Sequence, residues 1–497
     1  MTMFDIDTNK IIELISYNAN KPLLFNDIFF FVLLLGVLFT YSVIHKKFRL
    51  RIWFLILFSY YFYYKASGYY LILLVLVSLS DYLWGYLVYK SQTIKIKKLC
   101  LAMSILINLG LLSYFKYANF FIETVQTAMN KPITSLDILL PVGISFFIFQ
   151  SMSYVIDIYR GTLKPETYLP NYLFYTAFFP QLVAGPIVCA KDFLPQINNR
   201  KVLSKEDWGE AFMLILMGLF KKCIVSDYIS VNFVDRVFDA PTLYSGLENL
   251  FAIYGYAIQI YCDFSGYSDM AIGIALLFGY RFNANFNSPY ASATITEFWH
   301  KWHISLSTWL KEYLYISLGG NKNGKYKMYR NLLLTMLLGG LWHGAAGRYI
   351  LWGGLHGFYL VVHKLLMSFY PKLKVKGEDM SVFHRVIATF VTFNLVCFGW
   401  IFFRAESIKD GLSMLGQIFT QFNVVNLFPF ICGYFEIILL MVIVFAAQFT
   451  PLALKNKVKL FFIESSWIQK SVLLLILIIF IAQIKSSEIQ PFIYFQF

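Results

Sequence analysis

The sequence predicts an all-α integral membrane protein, and three features of its 497 residues carry that prediction. Apolar residues make up 58% and charged residues only 14%, where a soluble domain has about 25%. Apolar runs of membrane-spanning length recur along the chain, and basic residues gather between them. No polar stretch is long enough to fold as a separate soluble domain, so an ordinary cytosolic enzyme is excluded. About ten to twelve membrane helices are expected, together with amphipathic ones.

Residues 1–27 lack the basic start and small-residue cleavage site of a secretory signal, and read as a short amphipathic lead (Ile11, Ile12, Leu14, Ile15). A membrane domain is expected over residues 28–484. Its runs include Ile28–Ile44, Tyr69–Val88, Leu99–Tyr117, Ile138–Ile158, Gly246–Tyr261, Tyr349–Leu366, Val386–Phe403 and Val472–Ile484. Residues 485–497 form a tail. The net charge of +14 would suggest nucleic acid in a soluble protein, but its distribution says otherwise. Basic residues cluster at Lys46–Arg51, Lys90–Lys98 and Lys322–Arg330, which marks those loops as cytoplasmic. A helical hairpin between the first two clusters places the N-terminus outside. Lys221 and Lys222 fit this pattern less cleanly. The six cysteines have no paired or metal-type spacing and are expected to be buried small hydrophobes, with no metal bound.

Polar residues at apolar depth are the informative ones, because each is costly unless paired or facing a cavity. In order along the chain, Asp263 and Asp269 flank Ser265–Ser268 between apolar stretches, the pattern of a helix broken by a cavity-lining polar segment. Thr294 and Glu297 have capping-box spacing, and Trp299, Trp302, Leu306 and Trp309 then follow at helical spacing. One amphipathic helix along the cytoplasmic interface is expected there. His300 and His303 lie on it, three apart, without an evident third metal ligand.

His343 follows a basic loop ending at Arg330, which puts it about 20 Å into the membrane at 1.5 Å per residue. Gly340 and Gly344 form a small-xxx-small pair that admits another backbone, and Trp342 can wall a cavity. A neutral imidazole there suits proton abstraction from a hydroxyl; an interhelical hydrogen bond is the alternative. The final run, Pro491–Phe497 (PFIYFQF), is apolar and aromatic, either as an interfacial belt or as a segment folding back to present Tyr494. A phenol can carry an acyl group as a reactive aryl ester.

These motifs together resemble a known family. The runs Pro141–Gly161 (PVGISFFIFQSMSYVIDIYRG), Gln181–Ile187 (QLVAGPI), Asp263–Gly273 (DFSGYSDMAIG), Phe298–Tyr315 and Leu337–Ala345 (LLGGLWHGA) resemble the membrane-bound O-acyltransferase superfamily. They are most like its bacterial branch of alginate and peptidoglycan O-acetyltransferase membrane subunits. The resemblance implies a ring of tilted helices, some re-entrant, around a funnel joining a cytoplasmic donor side to an outer acceptor side. It matches His343 to the family's WHG histidine and His303 to the second histidine of the Phe298–Tyr315 block. Relatives often carry Arg in place of His300, so no role extends to it. His356 is similar to a recurrent family position of unassigned role. Trp342, Asp263 and Asp269 are candidate supporting or cavity-lining residues. The FIYF stretch resembles a tail whose tyrosine, here Tyr494, is proposed to hold the acyl group transiently.

The resulting expectation is an O-acetyltransferase of the bacterial cytoplasmic membrane, with N-terminus and tail outside. It would use acetyl-CoA or another cytoplasmic thioester as donor. A secreted or tethered SGNH-type partner would pass the group to an extracytoplasmic polysaccharide. Two alternatives are a D-alanyl or other acyl transferase fed by a carrier protein, and a polytopic transporter or flippase. Inverted repeats would favour the transporter, and none is evident.

Overall fold

The computed structural model describes residues 14–484, apart from 20, 131–132, 184, 200–201, 323 and 370–379, together with Phe492 and Ile493. Among the described residues every regular element is helical. Most of the expected lead lies outside the described residues, and Leu14 and Ile15 are exposed. The chain packs as two compact units, Met1–Ser204 with Ile274–Phe282, and Lys205–Gly273 with Asn283–Phe497.

The first unit opens on α1 (Ile28–Ile44), capped by Asp27, which accepts from the Phe29 N–H at 2.9 Å. Helices α2 (Phe48–Ser67) and α3 (Leu71–Lys90) meet at Gly68, whose φ of +61° suits glycine. Asp81 on α3 is fully buried and ties it to α4 (Ile94–Leu112), accepting from Ser104 Oγ at 2.6 Å and from Asn108 Nδ2 at 2.8 and 3.0 Å. A carboxylate among apolar helices needs such donors. Helix α5 (Ile144–Tyr159) is buried on every side, including its polar residues, of which Gln150 donates to the Tyr175 carbonyl at 2.7 Å.

By length and composition, four helical stretches can cross a membrane: Phe48–Lys90, Ile94–Met129, Gly347–Phe369 and Val382–Arg404. Two further helix pairs, bent by 97° and 104°, are broken spans or re-entrant loops: Ile408–Thr420 with Val424–Gly433, and Phe435–Ala447 with Leu452–Glu464. The other apolar runs sit in shorter helices such as Ile28–Ile44, or in helices with polar residues at depth.

In the second unit, α6 (Lys205–Leu219) continues through a π-helical stretch, Phe220–Ser226, that carries Lys221 and Lys222. Helix α7 (Gly246–Leu277) is started by a capping box: Ser245 N–H donates to Glu248 Oε2 at 2.9 Å and Glu248 N–H to Ser245 Oγ at 3.3 Å. It runs 32 residues without interruption, so the expected break at Asp263–Asp269 does not occur. Lys222 and Lys221 pair with those carboxylates, which removes the need for the backbone to open.

Helices α8 (Ile295–Lys301) and α9 (Ile304–Trp309) precede α10 (Lys325–His343) and α11 (Gly347–Phe369). The last two lie antiparallel, with Lys325 Nζ reaching Ser368 Oγ at 2.9 Å. Their backbones touch at Gly340 and Gly353. A Cβ on Gly340 would collide with the Tyr349 carbonyl and come within 3.0 Å of the Gly353 Cα, so Gly340 serves the close backbone approach expected of it, whereas Gly344 lies past the end of α10 against the Tyr349 ring. Gly340→Leu is expected to cost roughly 1–3 kcal/mol. The check is the thermal unfolding midpoint in detergent, and an unchanged midpoint would contradict this packing.

Helix α12 (Val382–Arg404) runs antiparallel to α11, with Gly399 beside His356 and Phe403 against Tyr349 at 5.2 Å. Its Phe403 end therefore lies at the level of His343. Its Arg385 end lies about 27 Å away at 1.5 Å per residue, on the side of Lys325.

Candidate active site

His343 is the last residue of α10 and is 3% exposed. Its ring stands against Trp342 and Trp352, each at 5.0 Å, and Phe403 at 5.3 Å. Trp342 also faces His303 at 6.2 Å, so one buried indole has a histidine on each side. The structure thus brings together the two histidines that sequence motifs singled out.

His303 is fully buried between α8 and α9, with φ +42°. The single amphipathic helix expected from Glu297 onward is broken there. The Thr294 half of the capping box is realised, with Thr294 Oγ1 accepting from Glu297 N–H at 3.1 Å, while Glu297 Oε2 accepts from the N–H of Ala293, one residue before the cap, at 2.9 Å. The stripe of Trp299, Trp302, Leu306 and Trp309 is buried inside protein. The left-handed residue then rotates His303 inward and leaves His300 exposed, so the two histidines do not share a face.

Asn285 organises this break. Its Oδ1 meets His303 Nδ1 at 3.2 Å and accepts from Ser305 N–H at 3.1 Å and Ser305 Oγ at 2.9 Å; its Nδ2 donates to Ser268 Oγ at 3.1 Å. Phe264 presses edge-on against the His303 ring at 4.5 Å. Burial pushes the His303 imidazole down to about 3, so the ring is uncharged at cellular pH. Asn285→Ala is expected to cost about 1–3 kcal/mol by stranding buried donors. It should also lower acyl transfer, because His303 loses its support. Wild-type transfer together with a wild-type melting midpoint would contradict this role.

His356, on α11, is fully buried among Phe298, Trp299 and Trp352, at 6.2, 5.2 and 4.8 Å. Among the described residues neither of its ring nitrogens has a hydrogen-bond partner. Trp352 lies between it and His343.

Asp263 and Asp269 project from α7. Lys222 Nζ lies 2.5 Å from Asp263 Oδ1 and 2.9 Å from Asp227 Oδ1, and Lys221 Nζ lies 2.6 Å from Asp269 Oδ2. Asp263 and Lys222 are nearly inaccessible, whereas Asp269 is partly exposed. Asp263 lines a polar cavity of about 340 Å³ with Lys222, Asp227, Asp235, Arg404 and Ile493. Ile493 is one of two described residues in the final aromatic segment. Its N–H donates to Asp263 Oδ2 at 2.9 Å, and the preceding Phe492 packs on Tyr267 at 4.9 Å and Phe264 at 5.6 Å. Tyr494 itself lies outside the described residues.

Sequence reasoning did not assign Lys222 or Asn285 to the site. The signal for Lys222 was present as two lysines that fitted no cytoplasmic cluster. Asn285 carried none, because its role depends on a residue 18 positions later.

The model of the MBOAT, membrane-bound O-acyltransferase family, matches residues 166–408, which include His303, His343, His356, Asp263 and Asp269. A probable alginate O-acetylase of Pseudomonas syringae pv. tomato is 42% identical over 324 residues, covering 64% of this chain and 60% of that protein. One of Pseudomonas putida is 40% identical over 421 residues, covering 80% and 84%. A peptidoglycan O-acetyltransferase of Helicobacter pylori is 36% identical over 391 residues, 73% of each chain. Relatedness at 40% identity over 84% of a relative's length, together with the family-model match, establishes that the chain belongs to the membrane-bound O-acyltransferase family.

Proposed function

We propose that this protein transfers an acetyl group from a cytoplasmic thioester such as acetyl-CoA to the Tyr494 hydroxyl, for O-acetylation of an extracytoplasmic polysaccharide. The observation that carries the reading is the placement of Phe492 and Ile493. They are held on Tyr267, Phe264 and Asp263, and Phe264 in turn abuts His303. Tyr494 is the next residue along.

In the transfer step the Tyr494 oxygen attacks the thioester carbonyl while His343 takes the phenolic proton. Collapse of the tetrahedral intermediate breaks the C–S bond, and the imidazolium returns that proton to the departing thiolate. The products are an acetyl-tyrosine ester and a free thiol. A hydroxyl of an SGNH-type partner, or of the polysaccharide, then attacks the ester and regenerates the phenol. His303, uncharged and beside Trp342, contributes on the donor side.

The direction of transfer follows from charge. Lys325–Arg330 and Arg385 mark one level of the second unit, and the cavity with Arg404 and Ile493 lies at the opposite end of α12. With the basic side in the cytoplasm of a bacterial inner membrane, the cavity that holds Ile493 lies toward the outer face. Relatives named for alginate and peptidoglycan O-acetylation favour an acetyl group and a polysaccharide acceptor.

The donor is tested by competition in reconstituted vesicles. Acetyl-CoA is expected to support transfer, with an acyl-loaded carrier protein competing poorly. Preference for the carrier would overturn the donor assignment.

A further inference from the structure

Asp263 uses its two carboxylate oxygens for different purposes. Oδ1 is bound to Lys222, which is also held by Asp227, while Oδ2 accepts the backbone N–H of Ile493. The carboxylate is 4% exposed and the ammonium 3%. A buried carboxylate is retained at high desolvation cost, which the lysine offsets. Charge-assisted hydrogen bonds to a backbone N–H are among the stronger single contacts available to a short segment.

We propose that Asp263 is a positioning residue: with Lys222 it clamps the backbone of Ile493 and so fixes where the Tyr494 phenol can reach. The clamp works on main chain, so it sets position without reading a side chain. Phe492, 1% exposed between Tyr267 and Phe264, supplies the second point of attachment. The Lys222–Asp263 pair stays neutralised whether or not the segment is bound, because neither partner depends on Ile493 for its countercharge. Releasing the segment breaks the Ile493 hydrogen bond and the ring contacts of Phe492 with Tyr267 and Phe264, but no ion pair. That is suitable for a carrier that must be placed for loading and later meet an acceptor.

This inference rests on Tyr494 being the acyl carrier, and its test separates the two claims. Full-length protein in detergent is followed by amide hydrogen exchange in the peptide containing Phe492–Phe497, and separately by mass spectrometry of acyl groups on Tyr494 after incubation with labelled acetyl-CoA. The Ile493 amide is expected to exchange slowly in the wild type and at least about 10-fold faster in Asp263→Ala. Tyr494 acylation is expected to fall about 10- to 100-fold in Asp263→Ala and in Ile493→Pro, with the apparent KM for donor unchanged. Ile493→Val, which keeps the N–H, should stay within about twofold of wild type. Ile493→Pro removes the N–H donor, along with the isoleucine side chain, and leaves both members of the buried ion pair in place, so it carries the test if Asp263→Ala does not fold. Equal Ile493 exchange in wild type and Asp263→Ala, or wild-type acylation in Ile493→Pro, would overturn the clamp. If Tyr494 is never acylated in the wild type, the relay fails, and the exchange comparison alone decides the clamp.

Discussion

His343→Gln is expected to lower acetyl transfer by roughly 10²- to 10⁴-fold, the usual contribution of a general base. Glutamine keeps most of the side-chain volume against Trp342, Trp352 and Phe403, so the aromatic wall should persist and the melting midpoint should move little. What it cannot do is accept the phenolic proton. At the buried end of α10 there is little bulk water to act instead, since His343 is 3% exposed. The loss should fall on kcat, with the donor's apparent KM nearly constant, because the histidine acts in the transition state. Near-normal transfer by a folded His343→Gln protein would refute the general-base role.

Tyr494→Phe should have an effect at least as large, about 10³-fold or more, because it deletes the atom to which the acetyl group is attached. Phenylalanine preserves the aromatic ring of the Pro491–Phe497 segment, so any contribution to binding should survive. The two variants then differ in a diagnostic way. His343→Gln should still accumulate a trace of acetylated Tyr494 on long incubation, whereas Tyr494→Phe should show no label anywhere in that peptide. Full polysaccharide acetylation by Tyr494→Phe would remove the relay from the mechanism while leaving the family assignment intact.

Much of this site can be seen in the sequence because the bilayer makes polar residues conspicuous. His343 stands out by its distance from Arg330, and Gly340 by the close approach it permits to Gly353. The start of α8 is equally readable, since the cap that Thr294 places on Glu297 N–H is local. What cannot be read depends on residues far apart in the chain. The inward turn at His303 requires a left-handed histidine stabilised by Asn285, so a regular helical pattern through Trp299 and Trp309 hides it. The unbroken α7 depends on lysines that precede their aspartates by 41 and 48 residues. Once Lys222 and Lys221 neutralise Asp263 and Asp269, a segment that reads as a polar interruption is simply a helix whose carboxylates are paired. His356 shows the same limit, because its aromatic cage is assembled from three helices.

The most direct measurement is mass spectrometry of the peptide containing Tyr494 after brief incubation of the purified protein with isotopically labelled acetyl-CoA, without acceptor. The account predicts labelled acetyl on the Tyr494 oxygen, abolished in Tyr494→Phe and strongly reduced in His343→Gln. An unlabelled Tyr494 in protein that acetylates polysaccharide at its full rate when acceptor is supplied would contradict it.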